Sequence, residues 1–159
     1  MDFRFTPEQE AFRAELRAFL RDELPADWGT DNRNDREEGD DAAAGVARRF
    51  TQKLVERGWL TMAWPIEYGG RGADPMRQLI YNEEMSYHRA PGAGSLGVQM
   101  VGPTLMLHGT EEQKRRFLPP IARNEETWCQ GFSEPGAGSD LASLQTRAVA
   151  DGDEFVVNG

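Results

Sequence analysis

Ser133-Glu134-Pro135-Gly136-Ala137-Gly138-Ser139-Asp140 arranges two hydroxyls and two carboxylates around a turn built from one proline and two glycines. Glycine lets a backbone reach φ > 0 and come close to a bound group, proline fixes φ where the turn begins, and successive N–H groups can form a concave anion-binding nest. Such a turn offers amide and hydroxyl donors to a bound anion such as a phosphate. Ser133 and Ser139 bracket it. The same composition also suits an ordinary solvated loop, so the residues alone leave both readings open. Glu83 and Glu84 are the other acids that invite a catalytic reading. Adjacent helical residues point about 100° apart, however, and cannot flank one scissile bond. Glu84 and His88 stand at i, i+4 and read as a surface or capping pair.

The elements that must position the turn are mostly helices. Thr6-Pro7-Glu8-Gln9 combines a cap, a proline at the first helical position and a capping box, which predicts a helix to about Leu24 with Phe12, Leu16, Phe19 and Leu20 on one apolar face. Thr30 to Asp41 is acidic and without helical period, and lacks the fixed ligand positions of a calcium loop, so it reads as a solvated loop. Ala42 to Arg57 predicts a second helix with Val46, Phe50, Leu54 and Val55 inward, closed by Gly58. Trp59 to Trp64 is an apolar connector whose indoles suit core packing better than a stacking platform. Asp74 and Pro75 start a helix to about Tyr87. Leu96 to Leu107 is the most apolar stretch and predicts a buried helix that kinks or restarts at Gly102-Pro103. Thr110-Glu111-Glu112-Gln113 is a second capping box, opening a helix to about Ala122.

After Asn124 the period changes to two. Trp128-Cys129-Gln130-Gly131-Phe132 leads into the glycine turn, and Gln145–Val149 and Glu154–Val157 predict strands around Asp151-Gly152. The expectation is a mainly α chain: a helical domain over 1–125, then the first strands of an incomplete β-barrel-like domain over 126–159. Asn158-Gly159 reads as the opening of a further hairpin whose return strand is missing, which would leave an exposed edge and marks the chain as a fragment.

Composition narrows the function classes. A net charge of −9 over 159 residues argues against nucleic acid, whose phosphates require a basic surface. Cys129 is the single cysteine, which excludes an internal disulfide, and with two histidines it leaves no zinc spacing. No apolar run approaches the roughly 20 residues of a membrane span. With no secretory or transit pattern at the start, a cytoplasmic protein without a transmembrane segment is expected.

Phe132-Ser133-Glu134-Pro135-Gly136-Ala137-Gly138-Ser139-Asp140-Leu141 resembles the flavin-binding signature of the acyl-CoA dehydrogenases. Trp64-Pro65-Ile66-Glu67-Tyr68-Gly69-Gly70-Arg71-Gly72, Asn82-Glu83-Glu84-Met85-Ser86 and Gly109-Thr110-Glu111-Glu112-Gln113-Lys114 are similar to further family segments and stand in the family's order. The resemblance implies an FAD-dependent oxidoreductase that takes a proton from Cα and a hydride from Cβ of an acyl-CoA thioester. It implies cofactor contacts at Gln130, Phe132, Ser133, Gly138 and Ser139, with Ser139 also near the CoA substrate. Gln130 stands where several members carry an aromatic residue. The resemblance further implies acyl-cavity walls at Met100 and Val101, an electron-transfer flavoprotein or similar acceptor, and a homo- or heterotetramer when full length. No catalytic residue and no metal ligand is assigned, because the family's glutamate base lies beyond these residues, and the segment by itself is expected to be inactive. A non-catalytic subunit of a heteromeric dehydrogenase, an acyl-CoA oxidase and a related flavin monooxygenase share the pattern.

Overall fold

The computed structural model describes residues 4–29, 41–92 and 95–159. The acidic stretch from Thr30 lies outside the described residues as far as position 40. Contacts divide the chain into two compact units, Met1–Trp128 and Cys129–Gly159.

The first unit is helical. Helix α1 spans Pro7–Glu23 and begins with the Thr6–Gln9 capping box fully formed. Its buried residues are the predicted Phe12, Leu16, Phe19 and Leu20. Helix α2, Asp41–Glu56, contributes Phe50 and Leu54 to the same core, while Val46 and Val55 are only half-buried. It ends in a Schellman motif: Gly58 takes φ 64°, its N–H donates to Val55 O, and the Trp59 N–H donates to Leu54 O. That turn aims Trp59 inward, where Phe19 meets Phe50 and Trp59 at 5.2 Å each. Core packing is therefore the use of this indole.

Helix α3, Pro75–Tyr87, is capped by Asp74 and buries Ile80, Tyr81, Glu84 and Met85 against α1. Helix α5, Glu111–Ala122, starts on the Thr110–Gln113 capping box. Its Leu118 and Ile121 form a second buried cluster with Trp64, against which Val98, Val101 and Trp128 pack. Each box satisfies two helix-end donors, which is worth about 1 kcal/mol.

The segment predicted as a kinked, buried helix differs in two ways. It is a π-helical turn over Gly97–Val101 followed by the short helix α4, Gly102–His108. Nor is it buried: within it only Gly97 and Gly102 are, while Met100 is 49% and Leu107 77% exposed. Hydrophobicity says that a segment seeks cover but not which neighbour supplies it, and one face of this segment turns away from the first unit.

The second unit holds the hairpin β1, Arg147–Asp151, and β2, Glu154–Asn158, paired antiparallel from Arg147↔Asn158 to Asp151↔Glu154. Gly152, at φ 62°, begins its two-residue loop, as a type II′ turn requires. The last strand, expected as an exposed edge without a partner, is thus paired on one side. Both strands are exposed along their whole length, on both faces. Among the described residues no helix is long and apolar enough to cross a membrane, and no cluster of three or more His, Cys, Asp or Glu could hold a metal.

Candidate functional site

The glycine-rich turn is closed by two backbone bonds, Glu134 N–H to Ala137 O and Ala137 N–H to Glu134 O, each 3.1 Å. Neither Gly136 nor Gly138 takes a positive φ, contrary to the sequence expectation. The Pro135-Gly136 pair turns without a left-handed residue, so the αR–αL alternation that makes an anion nest is absent from this turn. Nor does close packing require glycine at either position. A Cβ at Gly136 would meet nothing within 4 Å, and one at Gly138 would lie 3.4 Å from Ser133 Oγ.

What shapes the turn is a set of side chains around it. Ser143 Oγ donates to Gly136 O at 2.7 Å and to Asp140 O at 3.0 Å, and Asp140 accepts from the Ala142 N–H. The Glu134 carboxylate reaches across to the start of the hairpin. It accepts the Gln145 N–H, the Thr146 N–H at 3.0 Å and the Thr146 hydroxyl at 2.6 Å. Those donors, the Thr146 hydroxyl foremost, hold the Glu134 carboxyl below its usual range. A carboxylate engaged by three donors is a poor base and a good clamp. Because its folded pKa is depressed, the clamp is present at neutral pH and is lost as pH falls from about 4.5 through the folded value. Glu134→Gln is expected to speed amide exchange at Gln145 and Thr146 near pH 7, measured by hydrogen exchange. Unchanged exchange at both amides would contradict the clamp.

Gln130, Phe132, Ser133, Gly138 and Ser139 are all exposed, Phe132 at 82%. The Ser133 and Ser139 hydroxyls take no part in the bonds that fix the turn. Among the described residues, the N–H groups of Phe132, Ser133, Gly138 and Ser139 have no backbone acceptor. The turn is thus braced on one side by Glu134, Asp140 and Ser143 and keeps an unused row of amide and hydroxyl donors. A polar ring edge or a phosphate is what that donor set fits.

The two cavity-wall candidates belong to the first unit and face differently. Met100 is exposed, whereas its neighbour Val101 packs into the cluster around Trp64, Leu118 and Ile121. Glu84, set aside as a catalytic group, is buried and salt-bridged to Arg13 at 2.8 Å and Arg17 at 2.9 Å, while the His88 imidazole Nδ1 lies 2.9 Å from the Glu84 carbonyl. It is a packing group between helices. Trp64 was missed as more than a core residue: its indole N–H donates to Val98 O at 3.1 Å. A bond between residues so far apart leaves no local sequence signal.

A family model described as "Acyl-CoA dehydrogenase, N-terminal domain" matches residues 6–125. Acyl-CoA dehydrogenase FadE26 of Mycobacterium tuberculosis is 43% identical, over 100% of this chain and 39% of its own length. The structure is similar to the ChsE4-ChsE5 complex of Mycobacterium tuberculosis, with a TM-score of 0.80 at 42% identity, covering 100% of this chain and 39% of the other. It is also similar to the Tcur3481-Tcur3483 steroid ACAD, with a TM-score of 0.78 at 40% identity over 100% and 40%. The chain thus spans about two-fifths of the relatives it matches. On the shared helical domain and the sequence identity together, the chain belongs to the acyl-CoA dehydrogenase family.

Proposed function

We propose that the full-length protein is an FAD-dependent enzyme that dehydrogenates an acyl-CoA thioester between Cα and Cβ. The observation that carries this reading is the row of unused donors from Phe132 to Ser139 on a turn whose other side is braced. When bound, FAD supplies the hydride acceptor. The Phe132 and Ser133 amides and the Ser133 hydroxyl donate to the polar edge of the flavin ring, and Gly138 and Ser139 approach its pyrophosphate. Fixed donors of this kind stabilise negative charge on the ring without reorganising during the reaction. Gln130 lies alongside the ring, and Ser139 also neighbours the CoA. Met100 and Val101 bear on the acyl chain, Met100 directly and Val101 by backing it. None of residues 1–159 is assigned as the base; Glu84 and Glu134 are both committed to other partners.

A second reading, favoured by the two-component relatives, makes the protein one subunit of a heteromeric dehydrogenase, with an acyl group borne on a steroid as substrate class. Anaerobic mixing of the purified full-length protein with acyl-CoAs tests both. Bleaching of the flavin by straight-chain acyl-CoA with this subunit alone favours the simple enzyme. Bleaching only by a steroid acyl-CoA, and only with a second subunit present, favours the heteromer. A colourless protein, with or without such a subunit, would overturn the assignment of FAD.

A further inference from the structure

Val98 O sits at the one position in the π-helical turn where the chain cannot supply a donor. In α register it would accept from the Gly102 N–H, but that N–H donates to Gly97 O. In π register it would accept from residue 103, which is proline and has no N–H. The Trp64 indole donates to it instead, at 3.1 Å. Trp64 is 5% exposed, so its indole is held in place by the surrounding core.

The same indole fixes the turn sterically. A Cβ on Gly102 would stand 2.1 and 2.4 Å from Trp64 Cζ2 and Cη2, so only glycine admits the ring. On the other flank, a Cβ on Gly97 would stand 3.0 Å from Trp128 Cδ1 and 3.3 Å from Ile121 Cγ2. The bulged turn is held between two indoles through two glycines. Beyond it the Thr104 hydroxyl donates to Met100 O at 2.8 Å. Loss of the bulge would return the Gly102 N–H to Val98 O and shift the register by one residue, turning Met100 by roughly 100° relative to α4. The outward aim of Met100 and the inward packing of Val101 therefore depend on which donor Val98 O receives.

We propose that Trp64 is a positioning residue which, by donating its indole N–H to Val98 O, holds the π-helical turn and sets the aim of Met100, and so the acyl groups the enzyme prefers. The last clause rests on the acyl-CoA dehydrogenase reading above. Trp64→Phe keeps a ring and removes the N–H. Pro103→Ala adds a backbone N–H at the position from which π register would serve Val98 O.

In the full-length holoprotein, with its partner subunit where one is required, the ratio of kcat/KM for a bulky polycyclic acyl-CoA to that for butanoyl-CoA is expected to change roughly tenfold in W64F, the scale of a methylene-sized change in pocket shape. FAD content is expected to hold, and W64F/P103A is expected to return toward the wild-type ratio. Hydrogen exchange in the peptide spanning 96–104 should quicken in W64F and slow again in the double variant. An unchanged ratio with unchanged exchange overturns the inference, as does a change that Pro103→Ala fails to reverse. If W64F alone does not fold, folding of the double variant supports the inference and its failure overturns it. A wild-type flavin that no acyl-CoA bleaches overturns the enzymatic reading and the claim about preference, while the exchange measurement still decides whether the indole holds the turn.

Discussion

Full-length protein carrying Glu84→Ala is expected to lose about 3–5 kcal/mol of unfolding free energy, the usual cost of stranding one partner of a buried ion pair. The Glu84 side chain is 4% exposed and joins α3 to α1 through Arg13 at 2.8 Å and Arg17 at 2.9 Å. Arg13 is itself only 13% exposed and stacks over the Phe5 ring at 4.5 Å, so it cannot simply swing into solvent when its carboxylate is removed. Glu83→Ala is the internal control. Glu83 is half in solvent and bonds Arg13 at 2.9 Å, and its loss should cost under about 1 kcal/mol. Denaturant midpoints at unchanged slope would measure both, and similar values for the two variants would refute the special place given to Glu84.

Burial alone would raise the pKa of Glu84, but the hydrogen bonds and charges of Arg17 and Arg13 more than reverse this and leave it below the usual carboxylate value. A depressed folded pKa means that the contribution is present at neutral pH and is lost as pH falls from about 4.5 through the folded value. The acid limb of the stability profile should therefore flatten in Glu84→Ala.

Gly70→Ala is expected to cost about 3 kcal/mol, at the upper end of the overpacking range. The new Cβ would fall 1.9 Å from Trp64 O and 2.3 Å from its carbonyl carbon. That carbonyl cannot retreat, because it accepts the Gly72 N–H at 2.8 Å. The segment 61–73 is tightened further by Arg71 and Ala73 N–H donation to Met62 O and by the Thr61 hydroxyl to Gly69 O. Gly72→Ala provides the contrast. Gly72 has φ 59° and space around it, so only the left-handed penalty of about 1–2 kcal/mol applies. Equal midpoints for the two variants would contradict a backbone clash at Gly70.

What was legible in the sequence was local. Thr6–Gln9, Asp74-Pro75 and Thr110–Gln113 announce helix starts because a cap and its partner lie within three residues of each other, and the structure forms all three. Gly58 and Gly152 announce turns because no other residue takes a positive φ so cheaply. The signature turn was legible as a feature but not in its conformation, since Gly136 and Gly138 stay outside the left-handed region. The π-helical turn was not legible. Gly102-Pro103 signals an interruption, but the register depends on Trp64, remote in sequence, donating to Val98 O. Glu84 likewise reads as one of two surface acids until α1 brings Arg13 and Arg17 to it. Pair interactions between distant segments carry no period and no cap, and they decide how the apolar stretch around Met100 is aimed.

The β1–β2 ribbon is apolar where it faces outward on both sides: Val149 is 59%, Phe155 70%, Val156 49% and Val157 63% exposed. A lone two-stranded ribbon is at best marginally stable in water. Its persistence is therefore a readout of its surroundings. Protease resistance across residues 147–158 would report how completely neighbouring structure has closed over both faces, which makes this ribbon an internal gauge of assembly.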